Sequence, residues 1–471
     1  MMSIGSTATT QTITLPWREM ISKTETRSKW RQRNHHDTVG HNRRLLDTPN
    51  VQRECHLEKC HHYLTLTAIF LGNVILNFGR NFVQSVKSLF LFFFPRGELP
   101  KLYFKSSAMQ DFLTQNCKIL TSEYRCSPWL LSGWIQTLSN VFLRMCRHET
   151  SFTRNLFMAE DGGLVGLDWF LNGPTLRKRA PIVLVIPCNN ILALSEAVIC
   201  AHAYRKGFLP VVFRKRGSAG IPLTSSSNYQ SFGECSDLRE VIKFVRKLDP
   251  KRKLISMGVG TGASLLLAYL GEYGSSCHLQ AAVCISPWYS LERQLSSEHN
   301  NFSQWVFLQS LKVELSRSAG HLQSKIDLDQ AFGASSAEEY LRNMIPFVDN
   351  CQDLEGFYEQ NEPLSEIDEI AIPLLCIHSL DDPVVQKNDI PFDLFETIPH
   401  VTLVTTRRGG HGSFLHGWKA NNWALDLATD YCQNVLKVMG KPHLLNNNKC
   451  NNNNNNNINT TTANNSNNST R

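Results

Sequence analysis

The chain has 471 residues, 42% of them hydrophobic, with a formal net charge of +7 and 14 cysteines. That length and composition suit one large domain with extensions and a sizeable buried core. The basic residues are spread out, with no arginine or lysine tract and no zinc-finger spacing, which excludes a nucleic-acid partner and leaves a mild attraction to acidic membrane surfaces.

Residues 1–60 are polar, rich in Arg, Lys, Thr and Ser, and lack apolar periodicity, so they are predicted to be disordered. The first apolar run comes too late for a secretory signal peptide. Cys55, His56, Cys60, His61 and His62 lack a second half-site with ligand spacing, so they read as a polar flank and no metal site is expected. Apolar runs then cover Tyr63–Phe78 and Phe82–Phe94, and residues 63–94 are predicted to attach the protein to a membrane. Tyr63–Gly79 is about the minimum for a spanning helix. An interfacial helix pair with Arg80 and Lys87 snorkelling to the headgroups is the alternative. A buried core helix is disfavoured, because the segment precedes the globular part and has polar flanks. If the segment spans, Arg43, Arg44, Arg53 and Lys59 hold the N-terminus in the cytosol.

The globular part is expected over about 104–440. Strands are predicted at Pro181–Ile186, Pro210–Phe213, Leu254–Gly258, Ala281–Ile285, Leu374–His378 and Val401–Thr405. Helices are predicted at Leu192–Tyr204, Ser236–Lys247, Ala263–Glu272 and Trp423–Lys437. Nearly continuous apolar strands alternating with helices imply an α/β domain with a mostly parallel sheet covered on both faces. Cys284 and Cys376 sit inside such strands, where cysteine acts as a small hydrophobe. The stretch 290–360 interrupts the alternation and reads as a helical cap. From about Asn446 to residue 471 the chain is almost all Asn, Thr and Ser, and is predicted to be disordered.

The most informative segment runs Gly258-Val259-Gly260-Thr261-Gly262 after a buried strand and opens directly into a helix. This is the layout of the nucleophile elbow G-x-S-x-G, with glycine at the serine position. Nucleotide-binding folds also place glycines between a strand and a helix, but no Lys-Ser/Thr follows here and the strand comes late in the domain. Downstream, Asp381-Asp382-Pro383-Val384 follows one strand and Gly409-Gly410-His411-Gly412 follows the next. The order nucleophile, acid, base is that of the α/β-hydrolase fold. Asp382, one step before the turn proline, is the preferred acid and Asp381 the alternative; His411 is the base. The backbone N–H groups of Asn189 and Thr261 are the candidate oxyanion donors. Thr261, Ser264 and Cys188 are substitutes for the absent serine, none of them favoured.

Several collinear motifs add a resemblance. Gly133-Trp134-Ile135-Gln136-Thr137-Leu138 is similar to G-H-L-Q-T; Asp161-Gly162-Gly163 with Leu167-Asp168-Trp169 is similar to D-G-G…L-D-W. Arg216-Gly217-Ser218-Ala219-Gly220 with Leu223, and Ser236-Asp237-Leu238-Arg239, resemble R-G-C-G-G…L and T-D-D-L-R. Over about residues 104–435 the chain resembles the AB-hydrolase-4 family of YheT-like esterases and animal α/β-hydrolase domain-containing proteins, most closely the fifteen type. The resemblance implies a Ser–Asp–His triad; carried over, Asp382 and His411 are present and the serine maps to Gly260. Pro187-Cys188 stands where the family has His-Gly. The expectation is a membrane-associated pseudo-hydrolase without cofactor, binding an acyl lipid or ester ligand or serving as a scaffold for a protein partner. The alternative is an ester or acyl-lipid hydrolase using an activated water or a substitute nucleophile.

Overall fold

A computed structural model describes residues 97–146, 152–171, 175–188, 190–223, 232, 234–296, 301–322, 327–345, 351 and 353–442. The predicted disordered ends, the membrane-attaching run 63–94, the Cys/His cluster at 55–62 and Asn189 lie outside them.

The described strands are β1 (Lys101–Tyr103), β2 (Phe152–Met158), β3 (Leu164–Phe170), β4 (Ile182–Ile186), β5 (Leu209–Arg214), β6 (Leu254–Val259), β7 (Ala282–Ile285), β8 (Leu374–Ser379) and β9 (Val401–Thr406). They form one nine-stranded sheet in the order β1-β9-β8-β7-β6-β4-β5-β3-β2. Every pairing from β5 across to β9 is parallel. Only β1, β3 and β2 are antiparallel additions at the two edges. Strands β4, β6, β7, β8 and β9 are buried along their whole length. That explains their unbroken apolar sequences, since a parallel sheet is covered on both faces. This is the α/β-hydrolase fold.

The six predicted strands all appear, with ends shifted by one residue. The edge strands were not predicted; β2 leaves Leu156 and Met158 more than half exposed, so its apolar residues do not mark a buried face. The helices Ser236–Leu248, Thr261–Tyr273 and Trp423–Gly440 extend those predicted. The fourth prediction needs correcting: the helix is Glu196–Arg205, not Leu192–Tyr204. Leu192, Ala193 and Leu194 are buried but sit in a turn, where Asn190 accepts from the N–H groups of Leu192 and Ala193. Their apolarity reflects burial and not helical periodicity.

Between β7 and β8 the described residues form only helices: Leu291–Leu295, Asn301–Leu322, Leu328–Gly333, Ala337–Met344 and Leu354–Asn361. An aromatic cluster seats this cap beside the elbow helix. Trp288 meets Phe307 at 4.8 Å between ring centroids, and Phe232 lies 5.7 Å from Phe307 and 6.3 Å from Phe357.

The family motifs build the frame. Arg216 is clamped between Asp161 and Asp237, while Asp168 bridges Arg154 at 2.6 Å and Arg214 at 2.9 Å. These ion pairs tie the β2–β3 hairpin and the end of β5 to the helix Ser236–Leu248. After β5 the chain returns to the far side of β4, so the strand order reverses between β4 and β6. A crevice at the carboxyl ends follows from that reversal. The register pairs Ile186 with Gly258, so Cys188 and Gly260 each stand two residues beyond a matched pair of strand ends.

Candidate active site

The elbow forms as its sequence requires. A Cβ on Gly258 would stand 2.5 Å from Ala263 Cα, and one on Gly262 would stand 2.4 Å from the Ile186 carbonyl oxygen, so the turn and the loop after β4 close only around hydrogen. Gly260 is the tip, with φ +54° and ψ −125°. L-residues rarely adopt this backbone, and a nucleophile at an elbow tolerates it as strain. Here glycine holds it without strain and offers no hydroxyl. Thr261 is the first residue of the following helix, so its N–H has no intrahelical acceptor, as an oxyanion donor requires.

The structure brings Asp382 and His411 together. His411 Nδ1 lies 3.0 Å from Asp382 Oδ2, and both side chains are fully buried. Asp382 Oδ1 accepts from the N–H groups of Val384 at 2.8 Å and Val385 at 3.1 Å, which fixes the carboxylate. Burial alone would raise the Asp382 pKa, but the charge and hydrogen bond of His411 outweigh it and hold the group ionised below its ordinary range. Burial would likewise push the His411 imidazole down. The Asp382 charge and hydrogen bond, followed by the Cys188 thiol, overcome this and raise it to about 10. His411 Nε2 is buried and makes no hydrogen bond of good geometry among the described residues.

Asp381 has a different role. Its Oδ1 accepts from the Gly409 and Gly410 N–H groups at 2.9 and 3.0 Å and from the Ser379 hydroxyl, lashing the histidine loop to the end of β8. Sequence reasoning missed three further supports on the helix Gly133–Cys146. Thr137 Oγ1 accepts from the His411 N–H at 2.8 Å, and Asn140 donates to the His411 carbonyl at 3.1 Å. Gln136 accepts from the Leu415 N–H at 2.9 Å and, through its carbonyl, from the Ser413 hydroxyl at 2.8 Å. The motif containing Gln136 and Thr137 was the available signal; its partner loop was not.

The three substitute nucleophiles separate clearly. Ser264 is saturated: its hydroxyl donates to the Trp288 carbonyl at 3.0 Å and accepts from the Trp288 N–H at 2.9 Å. The Thr261 hydroxyl donates to Cys188 Sγ at 3.3 Å. Cys188 lies at the centre. A Cβ built on Gly260 would stand 2.7 Å from Cys188 Sγ and 3.2 Å from His411 Nε2. The thiol therefore occupies the space into which a serine side chain would project. Burial would raise its pKa, but the neighbouring His411, the Thr261 hydroxyl and the Asn190 N–H, the last 3.3 Å away, bring it below the ordinary value.

A family profile described as serine aminopeptidase, S33 matches residues 217–415, which include the elbow, the acid and the base. Protein ABHD15 of Homo sapiens is 33% identical over 314 residues, 63% of this chain and 65% of that protein, just under two thirds of its length. Over its globular part the chain is thus similar to proteins of the AB-hydrolase-4 type. Phospholipase ABHD3 of Homo sapiens is 28% identical over 358 residues, covering 73% of this chain and 86% of that protein. Monoacylglycerol lipase ABHD2 of Danio rerio is 26% identical over 365 residues, covering 71% and 84%. Two of these three relatives are thus named for the lipids they act on.

Proposed function

We propose that this protein is a membrane-associated pseudo-hydrolase that binds an acyl lipid, with no sustained ester turnover. One observation carries the reading: the elbow, built in full and aimed at an ordered Asp382–His411 pair, presents Gly260 where the reaction needs a hydroxyl. Loss of the nucleophile from a serine hydrolase removes about 10⁶ in kcat. The phospholipase and monoacylglycerol lipase named among the relatives, and the aromatic seat of the cap beside the site, support an acyl chain as ligand.

The test pairs binding with turnover. Monoacylglycerol should bind saturably, read by intrinsic tryptophan fluorescence, while multiple-turnover release of fatty acid stays at the buffer rate. Sustained release by the purified wild type would overturn the reading. Membrane attachment through residues 63–94 rests on the sequence alone; among the described residues no helix is long and apolar enough to cross a membrane. Full-length protein should stay in the pellet after alkaline carbonate extraction if the segment spans, and release would leave an interfacial contact. Deleting residues 63–94 should move the protein to the supernatant before any extraction. A deleted protein that stayed in the pellet would reject the segment as the anchor.

A further inference from the structure

A nucleophilic side chain and a glycine have traded places across the crevice. In the family pattern the elbow carries the side chain and the loop after β4 carries glycine; here the elbow carries Gly260 and that loop carries Cys188. The exchange preserves volume, because the Sγ fills the room a residue-260 side chain would need. It also keeps a nucleophilic atom beside the base. Cys188 Sγ accepts from two donors, the Thr261 hydroxyl and the Asn190 N–H. His411 Nε2, buried and without an aligned partner, faces the same space from the other side, backed by Asp382. A hydrogen-bonded sulfur beside a carboxylate-backed imidazole is the arrangement that favours thiolate, the reactive form of cysteine.

We propose that Cys188 is the nucleophile of this site, taking an acyl group from a carboxylic ester as a thioester. The proposal rests on the acyl-ligand reading above and adds a covalent step to it. The thiolate attacks the ester carbonyl carbon, and the C–S bond forms as the C–O bond to the alcohol breaks. The proton on His411 Nε2 passes to the departing alkoxide. The products are S-acyl Cys188, the free alcohol and a neutral His411. The Thr261 N–H, free of the helix ladder, is the oxyanion donor for this step.

Cys188 is only 6% exposed, so the probe must be small. p-Nitrophenyl acetate mixed with the wild-type protein should release a burst of about one equivalent of p-nitrophenol. Peptide mapping should place the acetyl mass on Cys188, removable by neutral hydroxylamine. Cys188→Ser should slow the burst at least 100-fold. Asp382→Asn should slow it at least tenfold while the far-UV circular dichroism is unchanged, an effect a merely structural thiol would not show. His378, 3.6 Å from Asp382, Asp381 and Tyr289 beside the same carboxylate, and the buried Lys215 near Cys188 are further titratable groups close to the site, so the rates are compared at one fixed pH. Acetylation confined to other cysteines such as Cys351, or a full burst from Cys188→Ala, overturns the proposal. Absence of a burst with monoacylglycerol binding intact rejects the covalent step and leaves the binding reading standing. A Cys188-dependent burst without monoacylglycerol binding does the reverse.

Discussion

At the scale of single residues, positions 188 and 260 are coupled. Restoring the elbow hydroxyl by Gly260→Ser is not a simple repair. The serine inherits φ +54°, a strain of about 1–3 kcal/mol, and its Cβ meets Cys188 Sγ at 2.7 Å. The single variant should therefore unfold at lower urea concentration than the wild type and react poorly with a fluorophosphonate. Cys188→Gly in the same chain removes the obstructing sulfur and should recover both stability and labelling. A double-mutant cycle should show favourable coupling of about 1 kcal/mol or more, as expected of residues in contact. Additivity within the error of the unfolding curves would mean that the two side chains do not compete for one space. The sequence showed the glycine at 260 and the cysteine at 188, but not that one fills the room left by the other. That relation depends on the β4–β6 register, which no local pattern encodes.

At the scale of elements, the base is held by a helix remote in sequence. Thr137→Val keeps the shape of the side chain but deletes the acceptor for the buried His411 N–H. An unpaired buried donor costs about 1–3 kcal/mol, and the urea midpoint should fall accordingly. Asp381→Ala should be at least as harmful, since it frees two loop N–H groups and the Ser379 hydroxyl together. An unchanged midpoint for both variants would remove these contacts from the account of how the histidine is placed. The parallel strands were legible because burial on both faces writes them as apolar runs. The edge strands were not, since one face of β2 meets solvent. The segment Leu192–Leu194 misled for the converse reason: it is apolar and buried without being helical. Asp382 and His411 were legible from chain order and turn residues. The supports on Gly133–Cys146 required knowing which loop that helix meets.

At the scale of the whole molecule, the buried His378 and the partly buried His202 set the acid limit. Burial lowers both His202 and His378 to about 4, while the unfolded chain titrates near 6.5. Between these values the unfolded state binds more protons than the folded one. The contribution of these two histidines is therefore complete above about pH 6.5 and is lost as the pH falls towards about 4, by at most about 1.4 kcal/mol per pH unit for each, whereas His411, raised to about 10, acts with the opposite sign above pH 6.5. Urea midpoints at pH 6.5, 5.5 and 4.5, below the window in which His411 contributes, should record the decline. His378→Gln should flatten it, and an equal slope in that variant would reject the assignment. The outermost pairing of the sheet has a consequence in time. β1 joins β9 with Lys101 opposite Thr405, so roughly 300 residues separate two partners that must lie side by side. At about 5–20 residues per second, the ribosome needs on the order of 15–60 s to deliver the second after the first. Once β8 is made and until β9 follows, the nascent chain carries β8 as an open sheet edge, and His411 has yet to be made. A chain released early is thus both without its base and furnished with an unpaired strand on which other chains can assemble.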